Sequence, residues 1–330
     1  MAPLIKICVR VPATTANLGP GFDALGMALD IWNHFDFILD PLPAGEAAGT
    51  NSRPLVTVVC EGEGAGELPS DEENLIYKAF CYGLGEAPPL RSVHLRVENH
   101  VPLSSGLGSS ATAIVGGLAA ARALRGDELS WEKVIRLATD LEGHPDNVAP
   151  AVLGGLVASA VDVDGQIESI SVQPPEELRV CIAVPDFYLT TRQARGRLPE
   201  RVTRADAVYN LSRAALWVAA MAVGRLEALR IATQDALHQP YRAALIPGLE
   251  DVFAAARAAG ALGVALSGSG PSVAAFCRQQ TAEVVGEAMR RTFRKVGVTA
   301  RIFHTRPARS GVQVEVMQTA HGDVGERVEA

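Results

Sequence analysis

Apolar and polar residues alternate through Val93-His94-Leu95-Arg96-Val97, the period-two signature of a half-buried strand. Leu4–Val11 and Leu55–Cys60 read as strands as well. The Ala-, Leu- and Val-rich run from Ala111 to Arg125 predicts a closely packed helix. Ser130 is placed to cap a helix from Trp131 to Glu142, with Val134, Ile135, Leu137, Ala138 and Leu141 on its apolar face. Gly143 suits its C-terminal end. Asp71-Glu72-Glu73-Asn74 opens a helix through Tyr77 and Phe80, with the acids in its first turn. Farther along, the pattern predicts a buried strand at Leu178–Val184 and helices at Ala205–Val223, Arg225–Leu237 and Gly248–Ala259. Strands at Ala261–Leu266 and Val273–Cys277, a helix at Ala282–Phe293 and a strand at Val298–His304 follow. Gly311–Val316 adds an edge strand. Asp, Gly and Pro cluster from Asp162 to Pro175, which places a change of domain there. Pro41–Pro54 reads as an exposed excursion, and residues 317–330, charged from His321 on, as a disordered tail.

The irregular stretches between these elements carry the chemistry. Pro102–Ala111 (P-L-S-S-G-L-G-S-S-A) lies between a strand and a helix N-terminus, where unpaired N–H groups and the dipole favour an anion. Gly106 and Gly108 remove Cβ atoms that would block a phosphate, and the serine hydroxyls can donate to it or ligate a cation. The plainer alternative is an ordinary connection with Ser109 or Ser110 as helix cap. No Gly-Lys-Ser/Thr follows, so this is not a Walker loop. The chain holds only four lysines against 26 arginines, none of the lysines in the loop, so backbone, hydroxyls and metal would have to hold a phosphate. Pro12–Asp23 is a second loop rich in Pro, Gly, Thr and Asn, offering Asn17 and Asp23 to a ligand. Ser267–Ser272 (S-G-S-G-P-S) is a third. Glu142 sits at the negative end of its helix dipole, which suits either a nearby cation or plain exposure to solvent. His144–Pro150 reads as an irregular polar loop, and His144 and Asp146 lack zinc-protease spacing. Arg192, Arg195 and Arg197 can solvate in bulk water or bind an anion, and for any single one solvation is the commoner outcome.

Composition narrows the classes. With 48% hydrophobic and 20% charged residues, the 330-residue chain fits a globular protein of one large or two medium domains. A net charge of −7 without a dense basic block argues against nucleic-acid binding. Five scattered cysteines, an odd number, read as reduced core residues rather than a disulfide frame. Lys6 and Arg10 interrupt the first apolar run, and no stretch is long enough to span a membrane, so a cytoplasmic location is expected.

Motifs standing in one order carry a resemblance. Pro102–Ala111 resembles the phosphate-binding loop of the GHMP small-molecule kinases. Pro12–Asp23 is similar to the first motif of that superfamily in its homoserine kinase form, and Ser267–Ser272 to its third. His144-Pro145-Asp146-Asn147-Val148-Ala149-Pro150 and Arg242-Ala243-Ala244-Leu245-Ile246-Pro247 also match the homoserine kinases. The similarity runs from Ile5 to Val316. Only Gly143 separates Glu142 from His144, shorter than in some members.

The resemblance implies an α+β, two-domain GHMP kinase fold. Residues 1–165 would be like the second domain of ribosomal protein S5, and residues 166–316 ferredoxin-like, with ATP between them. It implies ATP-dependent phosphorylation of the L-homoserine hydroxyl to O-phospho-L-homoserine, for threonine biosynthesis, by a homodimer. By similarity, Pro102, Leu103, Ser104, Ser105, Gly106, Leu107, Gly108, Ser109, Ser110, Ala111 and Thr112 wrap the phosphates. Ser110 and Glu142 hold Mg²⁺, and Asn74 meets the nucleoside. Asn17, Asp23, His144, Asp146 and Asn147 surround the amino acid, Arg195 and Arg242 pair its carboxylate, and Thr191 stands near the acceptor hydroxyl. Ser110, Glu142, Asp146 and Thr191 form the catalytic set, with Asp146 either deprotonating or orienting the substrate. A small zwitterion suits this arrangement, since its ammonium wants Asp23 or Asp146 and its carboxylate a forked arginine donor. Two alternatives stay open: a GHMP kinase for shikimate, mevalonate or a sugar, and a catalytically silent regulator on the same fold.

Overall fold

The computed structural model describes residues 3–42, 54–85, 90–126 and 129–319. The chain runs β1 (Leu4–Ala16), β2 (Leu25–Pro41), β3 (Leu55–Gly62), α1 (Leu75–Leu84), β4 (Leu90–Asn99), α2 (Ser109–Arg125), α3 (Trp131–Glu142), α4 (Pro145–Leu153), β5 (Leu156–Val161) and β6 (Ile167–Val172). It continues through β7 (Leu178–Pro185), α5 (Thr191–Arg195), α6 (Arg204–Val223), α7 (Leu229–Ala232), α8 (Gln239–Arg242) and α9 (Leu249–Ala258). Then come β8 (Gly263–Leu266), β9 (Val273–Arg278), α10 (Ala282–Lys295), β10 (Ala300–Thr305) and β11 (Gln313–Thr319).

Two sheets result. The first has the order β11-β1-β2-β4-β3, with the β5–β6 hairpin paired to the start of β2. Its one parallel pair is β3–β4. The second is antiparallel, in the order β10-β7-β9-β8. Phe35, Phe37 and Leu39 recur at every second position of β2 and pack with Ile76, Phe80, Ile114 and Leu118 of α1 and α2. In β7 the same period sorts side chains between two cores. Val180, Ile182 and Val184 face Met27, Leu107, Leu156 and Trp217, whereas Cys181 and Ala183 face α9 and α10. The middle core therefore draws residues from both halves of the chain, and it lies directly beneath the loops that matter for function.

Several expectations need correction. β1 does not stop at Val11 but runs through Pro12-Ala13-Thr14-Thr15-Ala16, with a register shift between Pro12 and Ala13. His144–Pro150 is not an irregular loop: Pro145 takes the first position of α4, where a missing N–H costs nothing, and Asp146 lies in its first turn. The acids Asp71–Glu73 precede the Asn74 cap instead of entering α1. Arg225–Leu237 holds only a 3₁₀ turn at Leu226–Ala228 and the short α7, because Asp235 gathers the N–H groups of Leu237, His238 and Gln239. β6 extends the first sheet to Val172, and β11 returns to it, pairing with β1 as far as Thr319. Leu141 is exposed on α3, which buries Val134, Ile135 and Ala138. The cysteines are all free, but Cys81 is exposed, and of the five only Cys181 and Cys277 are fully buried. Most of the Pro41–Pro54 excursion, and the tail from residue 320, lie outside the described residues.

Candidate active site

The three Gly/Ser stretches converge. Asn17, held at φ +67°, donates through Nδ2 to the Gly268 carbonyl (2.8 Å) and accepts from the Asp23 N–H (3.0 Å). Gly268 N–H donates back to Ala16 O (3.1 Å). The Ser267 hydroxyl donates to Gly106 O (2.7 Å) and lies 2.9 Å from the Thr15 hydroxyl. A Cβ on Gly106 (φ +84°) would stand 2.2 Å from Ser267 O, and one on Gly108 (φ +69°) 2.0 Å from Thr14 Oγ1. These glycines let the loops pack on one another, a demand the sequence pattern alone assigned to phosphate approach.

Above this junction opens a cleft of about 560 Å³. At its middle is the N-terminus of α2. Gly108, not Ser109 or Ser110, is its cap residue, and no side chain caps it. The first N–H groups therefore face Ser104, Ser105, Ser109 and Ser110, all on the cleft wall, which is an arrangement for an anion. Ser110 Oγ donates to Glu142 Oε1 (2.6 Å), bringing the start of α2 to the end of α3. Their oxygens are the hard donors Mg²⁺ prefers.

One end of the cleft is charged. Arg195 grips Asp23 with both terminal nitrogens (3.0 and 2.7 Å). His144 Nδ1 and Asn147 Nδ2 (3.3 Å) both bond Asp146 Oδ1, leaving Oδ2 for another partner, and Thr14 donates to Asn147 Oδ1 (2.7 Å). Ligand atoms of Asp23, His144 and Asp146 lie within 4.8 Å of one another. Burial disfavours the His144 imidazolium, yet the Asp146 bond and charge outweigh it and raise its pKa above the ordinary 6.5. Arg242 is 1% exposed and lines the same end. Burial first, then Arg195, pulls its pKa down to about 10, against Asp23, Asp235 and Asp146. Its Nη1 bonds Gly268 O (3.2 Å) and His238 Nδ1 (3.0 Å), its Nε has no partner, and it makes no salt bridge among the described residues. Thr191 Oγ1 stands 3.5 Å from Ser269 Oγ at the same end.

The other end is apolar, walled by Phe35, Leu68, Pro69, Leu75, Val97 and Leu103. Asn74 borders it, its Oδ1 capping α1 at Ile76 N (3.0 Å) and its Nδ2 on Pro69 O (2.8 Å).

Comparison with known proteins gives the family. The GHMP kinases N terminal domain matches residues 74–155, and the GHMP kinases C terminal domain matches residues 217–295. A homoserine kinase of Moorella thermoacetica is 46% identical over 93% of this chain and 99% of its own. One of Gloeobacter violaceus is 48% identical over 87% and 93%. The chain belongs to the homoserine kinase family of GHMP kinases. The crystal structure of homoserine kinase from Cytophaga hutchinsonii superposes with a TM-score of 0.81 at 29% identity, covering 94% of this chain and 97% of that one. A mevalonate kinase structure, at 14% identity and a TM-score of 0.64, shares the fold.

Of the residues the GHMP resemblance nominated, Asn17, Asp23, Asn74, Glu142, His144, Asp146, Asn147, Thr191, Arg195 and Arg242 all line the one cleft. So do Leu103, Ser104, Ser105, Gly106, Gly108, Ser109 and Ser110. Pro102, Leu107, Ala111 and Thr112 lie behind the wall. Leu107 fills the middle core and accepts from Thr14 N–H (3.1 Å); Ala111 enters the helix-side core. Pro102 O accepts from Ser105 (2.8 Å), and Thr112 accepts from Asn33 (2.9 Å). Sequence reasoning missed Thr14, Ser269, the apolar end and Asn33, whose Oδ1 also holds the N–H groups of His100 and Val101 (2.8 and 3.1 Å). Asn33 carried a signal: it is a polar residue at an inward position of β2, in phase with Phe35 and Phe37.

Proposed function

We propose that this cleft transfers the γ-phosphoryl group of ATP to the side-chain hydroxyl of L-homoserine, giving O-phospho-L-homoserine for threonine biosynthesis. The observation that carries the substrate reading is Arg242. A buried guanidinium on a cleft wall, with an orphaned Nε and no carboxylate partner among the described residues, suits an anionic ligand. A free amino acid brings that carboxylate, and its ammonium finds Asp23 at the same end of the cleft. Arg195 adds a second donor by exchanging Asp23 for the ligand.

The triphosphate lies over the uncapped start of α2, where backbone N–H groups and the hydroxyls of Ser104 and Ser109 bind it while the Ser105 hydroxyl holds the loop at Pro102 O, and the adenine enters the apolar end. Ser110 and Glu142 fit a magnesium ion, which when bound neutralises phosphate charge. Phosphoryl transfer depends on alignment and charge compensation more than on covalent chemistry. The chain's own part is therefore to hold donor and acceptor on opposite sides of Ser110. Asp146 Oδ2, on a carboxylate held through Oδ1 by His144 and Asn147, orients the acceptor hydroxyl or receives its proton; Thr191 and Ser269 close that side. A homodimer and a cytoplasmic location are part of the same proposal. No helix among the described residues is long and apolar enough to cross a membrane, and sedimentation at twice 34.8 kDa is the expected result.

A coupled ADP-release assay across homoserine, shikimate, mevalonate and galactose tests the reading. Turnover with homoserine is expected. Turnover on one of the others and none on homoserine, or no turnover at all, ends it.

A further inference from the structure

We propose that His238 is a positioning residue: as the neutral Nε2–H tautomer it offers Nδ1 to Arg242 and fixes that guanidinium for the substrate carboxylate. This rests on the reading of Arg242 as the carboxylate-binding arginine. His238 is fully buried, two of its ring contacts are unambiguous, and the phosphoryl-transfer reading makes no other use of it. Nε2 lies 2.6 Å from the Gly19 carbonyl oxygen, which can only accept, so Nε2 carries the hydrogen. Nδ1 lies 3.0 Å from Arg242 Nη1, which can only donate, so Nδ1 is a bare lone pair. One protonation state satisfies both neighbours, and the imidazolium does not.

The charges around the ring pull both ways: Asp235 and Asp23 favour the imidazolium, Arg242 and burial the neutral ring. The Asp235 carboxylate stands 3.5 Å from Nε2, and Asp23 faces the group from the β1–β2 loop. Burial is the largest influence and lowers the imidazole pKa, Asp235 opposing it and Arg242 adding to it. The ring cannot drift, because Asp235 accepts from the N–H groups of Leu237, His238 and Gln239 (2.9, 3.0 and 2.6 Å) and from Asn210 Nδ2 (2.7 Å). Phe22 stacks 5.5 Å from the imidazole and lies under Arg242 at 5.6 Å. Nη1 of Arg242 thus spends its two hydrogens on His238 and Gly268, and Nε and Nη2 stay for the ligand. Arg242 lies four positions after His238, the N-cap of α8, so the anchor and the anchored group are built on one turn of chain.

Two substitutions split the ring's two bonds. His238→Gln keeps a donor where Nε2 was and removes the acceptor for Arg242; His238→Asn keeps an acceptor where Nδ1 was and removes the link to Gly19. The expected result is a rise of about tenfold or more in KM for homoserine in His238→Gln, with KM for ATP unchanged, and recovery to within about threefold in His238→Asn. The reverse order, or equal rises, makes His238 a mere strut for the Gly19 turn and overturns the proposal. Imidazole ¹⁵N NMR of the intact wild-type protein gives an independent reading: a non-titrating Nε2–H form from about pH 6 to about pH 8 supports it, and an Nδ1–H or titrating ring overturns it. Arg242→Ala separates the two levels. If it leaves KM for homoserine unchanged, the carboxylate reading has failed, whatever the His238 pair shows.

Discussion

Gly106→Ala isolates the contact that joins the halves of the cleft. At φ +84° an alanine pays about 1–2 kcal/mol for the left-handed conformation. Its Cβ would also stand 2.2 Å from the Ser267 backbone oxygen, an atom that cannot rotate away. Forcing that approach open adds about 1–3 kcal/mol of overpacking. The bond from Ser267 Oγ to Gly106 O weakens with it, for about another 1 kcal/mol. The sum, about 3–6 kcal/mol, is a large share of the roughly 5–15 kcal/mol that holds a typical domain folded. Gly66 supplies the control, because its φ is +82° and a Cβ there meets nothing within 4 Å. Urea unfolding and ADP-release kinetics on both variants give the comparison. Gly66→Ala should lose about 1–2 kcal/mol and keep wild-type kinetics. Gly106→Ala should lose at least about 2 kcal/mol more and raise KM for both ATP and homoserine. Equal losses at the two positions would refute the claim that loop-to-loop contact is what demands glycine at 106.

Three further predictions follow from the same geometry. Glu142→Gln should raise the Mg²⁺ concentration needed for half-maximal rate by about tenfold or more while leaving the unfolding transition in place; an unchanged Mg²⁺ titration would remove Glu142 as a ligand. Because the His144 pKa is raised in the folded state, its pairing with Asp146 stabilises fully below the ordinary value of 6.5 and fades as pH rises through the raised one. The stability gap between wild type and Asp146→Asn should therefore shrink as pH rises above the ordinary value of 6.5, and a widening gap would contradict the assignment; in the same variant, an unchanged pH–rate profile with a modest loss of kcat would assign Asp146 to orientation rather than proton removal. Asn33→Ala takes the acceptor from the His100 N–H and leaves Val101 N–H only the longer bond to Asn99 Oδ1 (3.4 Å), while the Thr112 hydroxyl keeps Ser109 O (2.8 Å), and should cost about 1–3 kcal/mol by urea unfolding.

Much of this was legible in the residues because the forces involved are local. Period-two alternation located β4, a buried apolar run located β7, and Ser130 and Gly143 bracketed α3, since side-chain phase and end capping act within a few residues. Failures fell where a distant partner decides the backbone. Pro12–Ala16 has the composition of a turn, yet its ladder to Met27–Leu29 and Gly26 makes it strand. Arg225–Leu237 has helical composition, yet the Asp235 carboxylate captures the N–H groups that a helix would use. In the site, motif order nominated Arg195 and Asp23 separately, whereas the structure pairs them with each other before any ligand comes. Asn33 escaped notice because its work is to hold another loop, and no spacing along the chain records a contact across it.

The pairing of β11 with β1 has a bearing on how the protein is made. Arg10 meets Gln313, 303 positions later, and the ladder continues to Leu4 and Thr319. At about 5–20 residues per second, a ribosome takes roughly 15–60 s to supply the partner of the first strand it delivered. Through that interval the nascent chain carries β1 with one bare edge of Ile5, Ile7 and Val9, able to recruit another strand. The earliest strand translated is thus among the last to be covered, and chaperone demand during synthesis should be set by the final few residues of the fold.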